Sequence, residues 1–164
     1  MRKKFDARAH ILGHNISMDK IISSRYALLK EPAELAQHLF EELEGGIPHP
    51  LERGCVIVAG KNFGCGAVRE QAVIALKAAD VACIIASSFS RSFYRSAINQ
   101  GIPLIEQESA YTVIDEGEII TIDFEKSEII CKDDILKFKV IPEVVVKILS
   151  SGGLIPLTKK SLGK

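Results

Sequence analysis

Three glycines fall within seven residues in Gly60-Lys61-Asn62-Phe63-Gly64-Cys65-Gly66, and Ala67-Val68-Arg69-Glu70 follow at once. A glycine-rich segment that runs into a helix presents unpaired backbone N–H groups, and the helix dipole adds a preference for negative charge there. Arg69 adds a planar guanidinium able to grip a carboxylate through two parallel hydrogen bonds. The chemistry implied is the binding of a small anion, a carboxylate or a phosphate. Gly64 and Gly66 set the backbone conformation, while N–H groups around them and Ala67 face the ligand. Glu70 is either a site residue or an acid favoured by the dipole of a first helical turn. Cys65 is expected to pack rather than react.

The elements that must hold this loop are legible around it. Cys55 to Ala59 is a short, wholly apolar run with the pattern of a strand buried on both faces. Glu70 to Ala79 is helix-forming, and Val81 to Ala86 is a second buried strand, which makes a right-handed βαβ unit. Phe89 to Gln100 predicts a further helix closed by Gly101, and Ile102 to Ile105 a third strand. Upstream, Gly13-His14-Asn15 is a turn within an opening segment from Ile11 to Tyr26. Pro32 starts a helix whose apolar face is Leu35, Ala36, Leu39, Phe40 and Leu43, ended by Gly45-Gly46. A proline-containing connection, Ile47 to Arg53, follows it. Downstream, Glu118 to Phe124, Glu128 to Cys131 and Ile135 to Val140 predict successive β segments. Pro142 begins a last helix, Val144 to Leu149, capped by Gly152-Gly153. The whole is one α/β domain over residues 1–164 with additional β structure.

Composition limits the function classes. Lysine plus arginine equals aspartate plus glutamate, 21 each, which gives no basic excess for nucleic acid. Arg2-Lys3-Lys4 and Lys159-Lys160 are expected to be solvated ends. No apolar run approaches the roughly 18 residues of a membrane span, and Met1 to His10 carry no hydrophobic signal region. The four cysteines, Cys55, Cys65, Cys83 and Cys131, form no CxxC and are expected to be reduced thiols in the cytoplasm. Their spacing gives no metal site of their own.

Three ordered blocks carry a family resemblance. They are Asn62-Phe63-Gly64-Cys65-Gly66 with Arg69-Glu70-Gln71-Ala72, then Ala86-Ser87-Ser88-Phe89-Ser90-Arg91-Ser92-Phe93-Tyr94-Arg95, then Ala97-Ile98-Asn99-Gln100-Gly101-Ile102-Pro103-Leu104. They resemble the small subunit of 3-isopropylmalate dehydratase, the counterpart of the mobile C-terminal swivelling domain of aconitase-type hydro-lyases. The likeness runs from near Gly13 to Leu157. It implies a swivelling β/β/α domain with a partly parallel central sheet. It also implies a large-subunit partner that carries a [4Fe–4S] cluster on its own cysteines, and a small dicarboxylic hydroxy acid as substrate. The reaction implied is dehydration and rehydration that interconverts 2- and 3-isopropylmalate in leucine biosynthesis.

The resemblance also assigns residues. Arg69 matches the arginine that binds a substrate carboxylate, with Asp19 and the Gly64–Ala67 backbone as further carboxylate holders. Asp19 is alternatively a helix cap. Arg25-Tyr26 resembles the pair that precedes the substrate-selecting loop. Members that take a substrate with an extra carboxylate place arginine two residues after that tyrosine. Leu28 stands there in this chain and suits an alkyl substituent, unless it is ordinary core. The family loop usually has Gly-Ser-Ser-Arg, its first serine acting as the base; here Ala67-Val68 lack hydroxyls and cannot accept a proton. Arg95-Ser96-Ala97-Ile98-Asn99 likewise has Ser96 where asparagine is usual. No certain catalytic residue therefore lies in this chain. The alternatives are a paralogous subunit for homoaconitate or another substituted malate, and a catalytically silent partner subunit. His14 is a conceivable substitute base, while His38 and His49 are expected at the surface.

Overall fold

The computed structural model describes residues 1–45, 47, 50–132 and 134–163. Gly46, Pro48 and His49, on which parts of the helix-stop and connection expectations rest, lie outside them. The strands are β1 (Lys4–Leu12), β2 (Val56–Ala59), β3 (Cys83–Ala86), β4 (Leu104–Glu106), β5 (Ile119–Asp123), β6 (Glu128–Cys131) and β7 (Asp134–Lys137). The helices are α1 (Met18–Ile21), α2 (Pro32–Ala36), α3 (Glu70–Ala78), α4 (Arg91–Gln100), α5 (Ala110–Val113), α6 (Glu143–Ser150) and α7 (Leu154–Ser161).

One seven-stranded sheet has the order β4-β3-β2-β1-β5-β6-β7. β1 to β4 pair in parallel, and β5 to β7 continue antiparallel from the other edge of β1. Successive side chains of β2 and β3 point to opposite faces and every one is buried, the signature of strands covered on both sides. Ile57 and Ile84 join Ala72, Val73, Leu76, Phe93 and Ala97 of α3 and α4 in one core. Val56, Val58, Cys83 and Ile85 join Ile120, Ile122 and Ile129 of the antiparallel half in a second. The sheet curls around that second core. Gln107, just past β4, donates to the carbonyl of Lys137 in β7 at 3.1 Å, so the two ends of the sheet approach each other. Small residues on the inner face of β1, Ala7 and Ala9, leave room for the curl.

Several expectations need correction. The polar start of the chain is solvated at Arg2-Lys3-Lys4 as expected, yet it leads straight into β1, a strand not foreseen, which joins both halves of the sheet. Its alternation of Lys4, Asp6 and Arg8 with Phe5, Ala7 and Ala9 is that of a strand with one wet face. The long helix from Pro32 to Leu43 stops at Ala36, because the chain turns and Phe40 adopts φ +59° to drop its ring into the core. The β4 strand starts two residues later than Ile102. Two elements were not foreseen: the short α5 against β2 and β3, and α7, which follows the helix expected to be last.

Candidate anion site at the carboxyl ends of the parallel strands

The carboxyl ends of β1, β2 and β3 lead into three loops, residues 13–17, 60–68 and 87–90. Ligands of open α/β sheets bind beyond such strand ends. Backbone hydrogen bonds zip the loops together. Asn15 N–H reaches Lys61 O at 2.8 Å, Gly64 N–H reaches Ile16 O at 2.7 Å, and Met18 N–H reaches Cys65 O at 2.9 Å. Phe63 N–H reaches Ser88 O and Ser90 N–H returns to Phe63 O, at 3.0 and 2.9 Å. The Ser90 hydroxyl donates to Gly64 O at 2.6 Å while it caps α4 through the Phe93 N–H.

This zip explains the glycines. Gly64 has φ +75°, and a Cβ there would overlap the Phe93 side chain. Gly66 has φ +85°, and a Cβ there would meet Ser17 Cβ at an ordinary 3.7 Å, so its role is conformational rather than steric. Asn15 and Asn62 also take positive φ, and the Asn62 amide donates to Asn15 Oδ1 at 3.1 Å.

Once Gly64 and Met18 have closed the zip, the chain from Cys65 to Val68 turns outward. Cys65 forms a parallel bridge with Ser17, and among the described residues the N–H groups of Gly66, Ala67 and Val68 donate no hydrogen bond. Arg69 then stands at the N-cap of α3, with extended φ −131° and no side-chain cap. An arginine has no acceptor with which to cap, so the N–H groups of Glu70 and Gln71 find no acceptor among the described residues, while Ala72 N–H reaches Arg69 O at 3.2 Å. The result is a run of free donors beside a positive helix end, as the sequence predicts.

Arg69 is half-buried, and its Nε donates to Asp19 Oδ1 at 2.6 Å. Its own N–H rests on Met18 Sδ at 3.1 Å. Asp19 sits in the first turn of α1, whose cap is Ser17. The site thus unites Asp19 and Arg69 from segments 50 residues apart. Asp19 meets the guanidinium at its Nε edge and not at the forked terminal nitrogens. Ala67 and Val68 are exposed, and Leu28 is 91% exposed, so Leu28 is no part of the core. Gln71, not foreseen from sequence, donates from α3 to the carbonyl of Ala27 at 3.2 Å. His14 spends its Nδ1 accepting the Lys61 N–H at 2.8 Å and packs edge-on against Tyr111, which gives it a part in holding the loop.

An iron–sulfur cluster needs several converging thiolate donors. No three His, Cys, Asp or Glu side chains converge among the described residues. Cys55 and Cys83 are buried in the strand cores; burial pushes the Cys55 thiol up to about 11 and the Cys83 thiol higher still. Iron needs thiolates. The described residues do not fit a cluster.

Residues 50–110, which hold the loop, Arg69, α3 and α4, match the aconitase C-terminal domain family. A 3-isopropylmalate dehydratase small subunit of Caldicellulosiruptor saccharolyticus is 43% identical over 98% of this chain and 94% of its own length. The chain belongs to the 3-isopropylmalate dehydratase small-subunit family. An isopropylmalate/citramalate isomerase small subunit of Methanocaldococcus jannaschii is 39% identical over 100% of the chain and 99% of that protein. A crystal structure of 3-isopropylmalate dehydratase from the same organism superposes with a TM-score of 0.90 at 39% identity, covering 97% of this chain and 95% of that one. The family bears out the α/β swivelling fold, a hydro-lyase of the aconitase type and a large-subunit partner, and it associates the enzyme with an iron–sulfur cluster.

Proposed function

We propose that the chain is the small subunit of a 3-isopropylmalate dehydratase, acting with an iron–sulfur large subunit to interconvert 2- and 3-isopropylmalate in leucine biosynthesis. One observation carries the site assignment: Arg69, pinned by Asp19 at 2.6 Å, stands at the mouth of a loop whose successive N–H groups are free. Arg69 and the Gly64–Ala67 backbone take a substrate carboxylate, Asp19 orients Arg69, and Leu28 lies against the alkyl substituent. The cluster is assigned to the large subunit, and when bound there it would supply Lewis-acid chemistry for loss of the hydroxyl. Four free thiols agree with a cytoplasmic, reducing setting.

Ala67 and Val68 hold no base. Proton transfer therefore passes to a water or to a group of the large subunit, less well placed than a side chain built into the loop. The relative from Methanocaldococcus jannaschii is named for citramalate as well as isopropylmalate, which favours a substrate range extending to a methyl-substituted malate. The test is to mix the chain with its cluster-loaded large subunit and follow the dehydration of isopropylmalate and citramalate. Turnover of isopropylmalate is expected only from the mixture. A mixture that binds isopropylmalate without turning it over would instead identify a silent subunit.

A further inference from the structure

Leu28 is held out from both cores, yet its segment is fastened on two sides. On one side the Tyr26 ring stacks on His38 with centroids 3.9 Å apart, and its hydroxyl donates to Glu41 at 2.6 Å. Arg25 reaches Glu42 at 3.2 Å. Tyr26, Ala27 and Leu29 donate in succession to the carbonyls of Ser23, Ser24 and Tyr26, which winds the segment into tight turns. The Ala27 carbonyl takes no part in these turns. It accepts instead from the Gln71 side-chain amide at 3.2 Å, across 44 residues. Gln71 is the second residue of α3, directly after Glu70 and two beyond the Arg69 cap. One amide thus ties the backbone beside Leu28 to the helical turn that follows Arg69.

We propose that Gln71 is a positioning residue for substrate choice: by holding Ala27 it fixes the spacing between the carboxylate grip of Arg69 and the alkyl-facing Leu28. The proposal rests on the reading of those two residues as substrate contacts. A dicarboxylate with a side group is measured between two points, an anion held at one end and an apolar wall at the other. An apolar contact separates substituents that differ by a methyl group or two only by about one to two orders of magnitude, and only if the wall stays at a fixed distance. The Tyr26 clamp secures the far side of the loop against residues 38–42, which do not touch α3 through any of these bonds. Gln71 supplies the near side.

Gln71→Glu keeps the shape but turns an acceptor toward the Ala27 carbonyl, whereas Gln71→His keeps a ring N–H of similar reach. In the complex with the cluster-loaded large subunit, Gln71→Glu should lower kcat/KM for isopropylmalate by about tenfold, chiefly through KM. For citramalate the change should stay within about twofold, so the preference narrows. Gln71→His should restore the ratio. Hydrogen exchange on the isolated chain gives a second readout: the amides of residues 27–30 should exchange faster in Gln71→Glu, with α3 unchanged. Equal losses on both substrates, an unmoved ratio or unaltered exchange would each overturn the proposal. Should the wild-type complex turn over neither substrate, the functional reading fails and exchange alone decides the tether, accelerated exchange upholding it.

Discussion

Arg69 occupies a position where most helices place a capping oxygen. The exchange is costly for an isolated helix, since a serine, aspartate or asparagine cap contributes about 1 kcal/mol. It is useful for an anion site, because uncapped N–H groups and a guanidinium both favour a carboxylate. Asp19 takes Nε alone, so the two-nitrogen face remains available for a bidentate carboxylate. Lysine keeps the charge and loses the fork and the Asp19 contact geometry. Arg69→Lys should therefore lower kcat/KM of the assembled enzyme by about 30- to 100-fold, roughly 2–3 kcal/mol, in steady-state assays. Two residues upstream the opposite experiment is available. Ala67 and Val68 are exposed beside the free N–H groups, so serines fit there without disturbing a core. The double variant Ala67→Ser, Val68→Ser should raise kcat by about tenfold or more by restoring a positioned hydroxyl. An unchanged kcat with an already fast wild type would show that the proton moves to a group outside the loop.

At the scale of elements, the site depends on loops held by one another. The 13–17, 60–68 and 87–90 loops share backbone hydrogen bonds, so each restrains the next. The loop that carries Leu28 is held differently, by the Tyr26–His38–Glu41 cluster and by Gln71. The Tyr26 hydroxyl, followed by His38, holds the Glu41 carboxyl below its ordinary range, and the same bond to Glu41 pushes the Tyr26 phenol up. A depressed carboxylate stabilises the fold fully above its unfolded value and loses that contribution as pH falls through the folded value. A raised phenol stabilises below its unfolded value and loses its share as pH rises through the folded one. The clamp is therefore at full strength between the carboxylate and phenol ranges. Glu41→Gln should lower the denaturation midpoint at about pH 7, with the difference from wild type shrinking as pH falls below about 4.

For the whole molecule, the exposed apolar residues deserve a physical reason. Leu28, at 91%, and Val68, at 64% exposure, lie in the segments flanking the charged pair. Apolar side chains near a charged site in water gain nothing; they become favourable when a partner surface removes them from it, at about 25 cal/mol per Å². This fits a subunit whose site is completed by another chain. The isolated chain should accordingly give no turnover of isopropylmalate, and titration with the large subunit should bring activity to a plateau at a defined ratio. Full turnover by the chain alone would overturn the two-subunit reading. No helix among the described residues is long and apolar enough to cross a membrane.

What the sequence determined by itself was local. The glycine spacing, the apolar four-residue runs of β2 and β3 and the position of Arg69 before a helix-forming segment are set by steric freedom, burial periodicity and helix-end chemistry. Those rules act over a few residues, and they sufficed to name an anion loop; the family came from the resemblance carried by three ordered blocks of residues. Tertiary structure decided the rest. Nothing near Asp19 says that it will meet Arg69 through Nε, nor does anything near Gln71 say that it will hold Ala27, because both contacts span more than 40 residues. The polar start of the chain became the central β1 because its partners, β2 and β5, lie far along the sequence and supply the hydrogen bonds that its own composition does not announce. Phe40 likewise ended α2 for the sake of a core that the helix period alone does not describe.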